Sequence, residues 1–152
     1  MRATVPASSG GLRIEDVPTP EPDDDELLVE TSRSGICPTG VDAVRAGNTW
    51  GFDRPIGYPG HEFSGQVVEP GADVDEFAPG DRVVADLQIR CGECHYCRHG
   101  RDNLCENISM TGYFSHAEYV LAPASQTVHV PDRLSDEAAA LAEPVACVLH
   151  SV

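Results

Sequence analysis

The chain has 152 residues, the size of one ordinary domain, and its 25 acidic residues face 10 basic ones for a formal net charge of -15. Every Lys/Arg position is arginine, so the basic clusters that release counterions from nucleic acid or anionic lipid are missing, which argues against nucleic-acid and membrane partners. The acidity reads instead as a solvation device, of the kind suited to a high-salt cytoplasm where salt screens the self-repulsion.

Proline (12) and glycine (14) are spread along the sequence, which favours strands and turns over long helices. Residues 1–6 are followed by Ala7, Ser8, Ser9 and Gly10 rather than an apolar stretch, and no apolar run is long enough to span a bilayer. The expectation is a cytoplasmic protein whose six cysteines stay reduced and serve as metal ligands rather than disulfides. Short apolar stretches at Leu12 to Val17, Leu27 to Thr31, Phe63 to Val68 and Arg82 to Ala85 predict strands, with turns at 18–25, 70–75 and 79–81 between them. A short helix is predicted over Pro38 to Ala46, since proline suits its first position and Gly47 the position past its end. A cysteine-dense segment at 91–105 interrupts the strand pattern as an inserted lobe, after which Ala117 to Leu121 and Thr127 to Val130 resume it. From Ser135 the composition turns to alanine, leucine and valine, and Ser135 with Asp136 can cap a helix that begins there.

Cys91, Cys94, Cys97 and Cys105 lie within fifteen residues of a polar segment. Four thiolates suit a tetrahedral structural zinc with bonds of about 2.3 Å and no open position for chemistry. The alternative of an iron–sulfur cluster fits less well. A ferredoxin pattern places the fourth cysteine three residues after the third and follows it with proline, whereas here seven residues intervene and Glu106 follows. His95 and His99 read as exposed lobe residues rather than ligands.

A second constellation is dispersed: Cys37 in Gly-Ile-Cys-Pro-Thr-Gly, His61 and Glu62 in Gly-His-Glu, and Glu143 before Pro144. Each alone has an ordinary reading, as a small core cysteine, a surface pair and a helix boundary. Jointly, one thiolate, one imidazole and one or two carboxylates make a zinc site able to leave a position open for water or substrate. Cys37 precedes proline and so is expected to be extended, at the start of a helix whose dipole favours a thiolate. Gly60 is expected to take backbone angles that let His61 and Glu62 leave strand alternation and reach one metal.

With Gly-Ile-Cys-x-Thr at 35–39, Gly-His-Glu at 60–62, Gly-Asp-Arg-Val at 80–83, the four-cysteine lobe, Ala-Glu-Tyr at 117–119 and Glu-Pro at 143–144, the chain resembles the zinc-containing medium-chain dehydrogenase/reductase family, in its sorbitol and threonine dehydrogenase branch. The resemblance runs through the whole chain. It implies a mainly β, GroES-like, partly open barrel with short helices and a zinc-binding lobe. The catalytic domain would occupy 1–142, and 143–152 would begin the helix leading to a nucleotide-binding domain. Catalytic zinc would be held by Cys37, His61 and Glu62, with Glu143 as ligand or water partner, and structural zinc by the four lobe cysteines. Thr39 matches the hydroxyl that relays a proton from the bound alcohol.

Asp42 holds the next relay position, where relatives such as threonine dehydrogenase usually have histidine, and Gly40 stands where the common motif has an aspartate that orients the zinc-bound histidine. No Gly-x-Gly-x-x-Gly occurs in the sequence, so a Rossmann domain carrying NAD or NADP is expected outside it, on a separate stretch or chain. The function implied is the catalytic half of an NAD(P)-dependent alcohol or polyol dehydrogenase, inactive alone, with a small alcohol or polyol as substrate and self-association as a homo-oligomer. The alternative is a stand-alone, non-catalytic zinc-binding module.

Overall fold

The computed structural model describes residues 1–150. Its central element is β3 (Glu26–Ser34), which pairs antiparallel with β4 (Phe63–Pro70) on one side and β8 (Tyr119–Pro123) on the other. With β5 (Arg82–Ala85) and β9 (Thr127–His129) the sheet runs in the order β8-β3-β4-β5-β9. Glu26 to Val29 are all buried, so β3 is covered on both faces at its start, and the consecutive run of Leu27, Leu28 and Val29 in place of alternation follows from that. A separate two-stranded sheet joins β1 (Arg2–Pro6) and β2 (Leu12–Asp16). Another joins β6 (Gln88–Ile89) and β7 (Ser109–Met110), which close the base of the cysteine lobe. The sheets remain open, and the domain is mainly β with few short helices.

The core gathers Leu27, Val29, Phe63, Val83 and Val120 from the large sheet with Tyr58 and Phe114 from the loops beside it. The predicted strands and the first helix, α1 (Pro38–Arg45), fall where the sequence pattern put them, with ends shifted by one to three residues. The strand β1 has only two inward apolar residues, Ala3 and Val5, before proline ends it, too little alternation to stand out in the sequence. β3 runs three residues further than its apolar pattern, because Arg33 and Ser34 still pair with Ser64 and Phe63 after a register shift. That extension carries Gly35 to the edge of the site described below.

The helix expected from Ser135 is two helices. Ser135 caps α3 (Asp136–Ala139) by accepting the Ala138 N–H at 3.3 Å, and α4 (Ala142–His150) follows after a break. Pro144 lacks the N–H a continuous helix would send to Ala140, whereas in the first turn of α4 that N–H has no helical partner to lose. Residues 151 and 152 of the expected lead-out helix lie outside the described residues. Among the described residues no helix is long and apolar enough to cross a membrane.

Glu26, at the start of β3, has a buried carboxyl that accepts the Asp23 N–H at 3.2 Å. Burial raises its pKa above the ordinary value, the Asp23 hydrogen bond opposes this, and the charges of Asp23 and Asp25 add to the rise. The folded state therefore holds this proton more tightly than the unfolded state does, and stability is lost as pH climbs from the ordinary glutamate value through the raised one. Urea midpoints measured across that window are expected to decline with pH in the native sequence and to decline less in Glu26→Gln.

Candidate metal centres

Between β6 and β7 the chain folds into a lobe built on α2 (His95–Arg98) and a 3-10 turn at Asp102–Leu104. One sulfur from each of Cys91, Cys94, Cys97 and Cys105 lies within 4.8 Å of all the others. Cys105 Sγ is 3.5 Å from Cys91 Sγ, and Cys97 Sγ is 4.0 Å from it. A tetrahedron with metal–sulfur bonds of 2.3 Å has edges of about 3.8 Å, so the spacing fits four thiolates around zinc and far exceeds a disulfide's sulfur separation. Main-chain N–H groups point into the cluster: Cys94 N donates to Cys91 Sγ, and Cys91 N and Asn107 N donate to Cys105 Sγ, each at 3.4 Å. The N–H groups of Glu93 and Cys94 bring the Cys91 thiol down to about 6, and those of Cys97 and Glu106 lower that of Cys94. Cys97 goes the other way, to about 12, through desolvation and then its sulfur neighbours. His95 and His99 are exposed and stack on each other with ring centroids 4.3 Å apart, away from the sulfur cluster's ligand set.

The second cluster joins two segments. Cys37 caps α1 in an extended conformation (φ -75°, ψ 135°), and Pro38 opens the helix. His61 and Glu62 come from the turn that leads into β4. One donor atom from each of Cys37, His61 and Glu62 lies within 4.8 Å of the other two. Glu62 is buried at 9% exposure, and its carboxylate fits beside Gly35, where a Cβ would stand 2.5 Å from Oε2. The expectation for Gly60 needs correcting: it does not take a left-handed φ. Space is what it provides, since a Cβ there would lie 2.5 Å from His116 N and 2.7 Å from both His116 Nδ1 and Ser115 Oγ.

Thr39 is exposed on the first turn of α1. Asp42, 77% exposed, faces Arg45 at 3.7 Å, a surface pair of little energetic weight. Glu143 lies half-buried on α4 outside the cluster of three, and accepts from Cys147 Sγ at 3.5 Å. Burial raises the Cys147 thiol, and its neighbour Glu143 adds to this.

Sequence reasoning missed His116. Its Nδ1 sits 2.9 Å from Ser34 Oγ, which also meets Ser115 Oγ at 2.8 Å. Burial lowers its pKa, the His61 charge lowers it further, and Glu62 opposes both. Only its neighbourhood to Ala-Glu-Tyr could have flagged it.

The β-rich domain thus carries a four-sulfur lobe and a separate thiol–imidazole–carboxylate cluster, two groups of side chains that could each hold a metal ion. The chain belongs to the alcohol dehydrogenase GroES-like domain family, which matches residues 23–132. It is 37% identical to L-threonine 3-dehydrogenase of Rhizobium etli over 99% of its own length and 45% of that protein. It is 40% identical to D-arabitol-phosphate dehydrogenase of Enterococcus avium over 90% of its length and 40% of that protein. The cobalt- and zinc-bound thermostable alcohol dehydrogenase of Pyrobaculum aerophilum superposes with a TM-score of 0.82 at 30% identity, covering 93% of this chain and 44% of that one. The chain thus spans less than half the length of these relatives.

Replacing Gly60 by alanine is expected to force the 115–116 segment away from the His61 turn and to cost about 1–3 kcal/mol. Urea unfolding measures this, and an unchanged midpoint would show that the segment yields freely.

Proposed function

We propose that the chain is the catalytic portion of a zinc-dependent dehydrogenase that interconverts a secondary alcohol or polyol and its ketone, with NAD or NADP as hydride partner. The observation that carries the reading is the approach of Cys37, His61 and Glu62 donor atoms to within 4.8 Å from segments distant in sequence. A thiolate and a carboxylate would neutralise a bound dication, and the donor set suits zinc. Glu143, from the neighbouring α4, is the fourth candidate as ligand or water partner, and the lobe cysteines would hold a second, structural zinc. The catalytic ion supplies Lewis acidity toward an alcohol or carbonyl oxygen. The Thr39 hydroxyl accepts the alcohol proton, and Asp42, one turn further along α1 and open to solvent, receives it for release to water.

In this reading residues 1–142 form the catalytic domain and 143–152 lead toward a nucleotide-binding domain, on a longer polypeptide or on a separate one. Leu141, Val145, Val148 and Leu149 stand exposed on and beside α4, an apolar face suited to a covering domain or a second copy. Hydride acceptance belongs to the nicotinamide, so these 152 residues alone are expected not to turn over. The cytoplasm, where thiols stay reduced, is the matching compartment. Gly40 and the surface pairing of Asp42 favour a second reading, a zinc-binding module without catalysis.

Metal analysis after gentle chelation is expected to find two zinc ions per chain, one labile, with Cys37→Ala losing only the labile one and Cys105→Ala the other. Fused to the remaining portion of the Rhizobium etli relative, the chain is expected to reduce NAD or NADP in the presence of a secondary alcohol, and His61→Ala to abolish this. Two metals without turnover in the fusion would select the second reading, and a single metal indifferent to Cys37 would overturn the dehydrogenase reading.

A further inference from the structure

Which nitrogen of His61 faces Cys37 and Glu62 is set by what its other nitrogen bonds. His61 Nδ1 lies 2.9 Å from the main-chain oxygen of Pro59. A carbonyl oxygen only accepts, so Nδ1 carries the hydrogen and the lone pair of the neutral ring is on Nε2. No carboxylate of α1 supplies this acceptor, because Asp42 is turned to solvent beside Arg45 and position 40 has no side chain.

The Pro59 carbonyl is itself held on several sides. The Thr4 hydroxyl donates to the preceding carbonyl, Tyr58 O, at 2.7 Å, and Gly60 N donates to Gly57 O at 3.1 Å. The Pro59 ring is buried against the first turn of α1 at Gly40, where a Cβ would stand 2.8 Å from Pro59 Cγ and 3.1 Å from its Cβ. From the remaining side Trp50, at a left-handed φ of 55° that a bulky residue rarely takes, sets its ring edge-on to His61 with centroids 5.7 Å apart. Trp50 also packs on Tyr58 and Phe114, which ties it to the core.

We infer that the main-chain carbonyl of Pro59 is the positioning group of His61, that Gly40 is the spacer which lets Pro59 reach its place, and that together they present Nε2 to the Cys37–Glu62 donors. The inference rests on the zinc reading for its purpose but not for its test. A neutral carbonyl draws less on the Nδ1 hydrogen than a carboxylate does, so the imidazole is a weaker donor and an ion held there exchanges more readily.

The test uses the full chain labelled with nitrogen-15 histidine. Long-range proton–nitrogen correlation on the metal-free protein is expected to find the neutral His61 ring protonated at Nδ1 and bare at Nε2, and zinc to move the Nε2 resonance. A ring protonated at Nε2, or zinc arriving at Nδ1, overturns the inference while leaving the zinc reading intact. Cobalt titration with the lobe already zinc-filled reads the second centre through its thiolate charge-transfer band. No such band in the native chain would sink the zinc reading, and the histidine tautomer would still decide the positioning claim. Gly40→Ala is expected to weaken cobalt binding at that centre by about 10- to 100-fold while the lobe keeps its zinc. Native cobalt affinity in Gly40→Ala would overturn the role of Gly40, and if this variant does not fold, the native-chain spectra still decide the carbonyl's role.

Discussion

The constraint on which the dispersed cluster depends is the close approach of main chains that side chains would prevent. The turn carrying His61 and Glu62 is pressed between the end of β3, the start of α1 and the segment at 115–116, and at each contact a glycine stands where a Cβ would collide. Gly35 makes room for the Glu62 carboxylate, Gly40 for the Pro59 ring and Gly60 for His116. Protein interiors are packed too densely to absorb three such intrusions at one place. The mixed donor set is therefore a product of packing as much as of ligand chemistry.

The two clusters differ in how the fold assembles them. The lobe brings together sulfurs at most fourteen positions apart, and its own N–H groups lower the thiols of Cys91 and Cys94. The other cluster needs β3, α1 and β4 in register before Cys37 and His61 can meet, and its surroundings include Ser34, Trp50, Ser115 and His116. A closed set of four sulfurs suits a structural ion, whereas three unlike donors leave a position to fill.

This difference also sets what could be read from the sequence. Cysteine spacing made the lobe visible at once, and short apolar stretches bounded by turn residues marked β4, β5 and much of β3, because those signals are local. Cys37, His61 and Glu62 could be grouped by residue type and resemblance, but nothing local says that a carbonyl from Pro59 meets His61, since main-chain atoms carry no sequence signature. Gly60 was noticed for the wrong reason: its freedom of φ is unused, and the space that it leaves belongs to a histidine fifty-six residues away. Ser135 marked the start of α3 through its capping hydroxyl, and Pro144 sits in the first turn of α4, where a missing N–H costs no helical bond.

The attachment of the cysteine lobe has a consequence for how the domain comes apart. Among the described residues, Gln88 with Met110 and Ile89 with Ser109 are the strand pairs that tie its base, while the large sheet carries the buried apolar core. An ion-stripped lobe can therefore loosen as its own cooperative unit while the sheet stays shut, so amide exchange and protease nicking would begin between 90 and 108 well before the core opens. With an ion in the lobe, as proposed, melting would be a two-stage event whose first stage follows the metal buffer as well as the temperature.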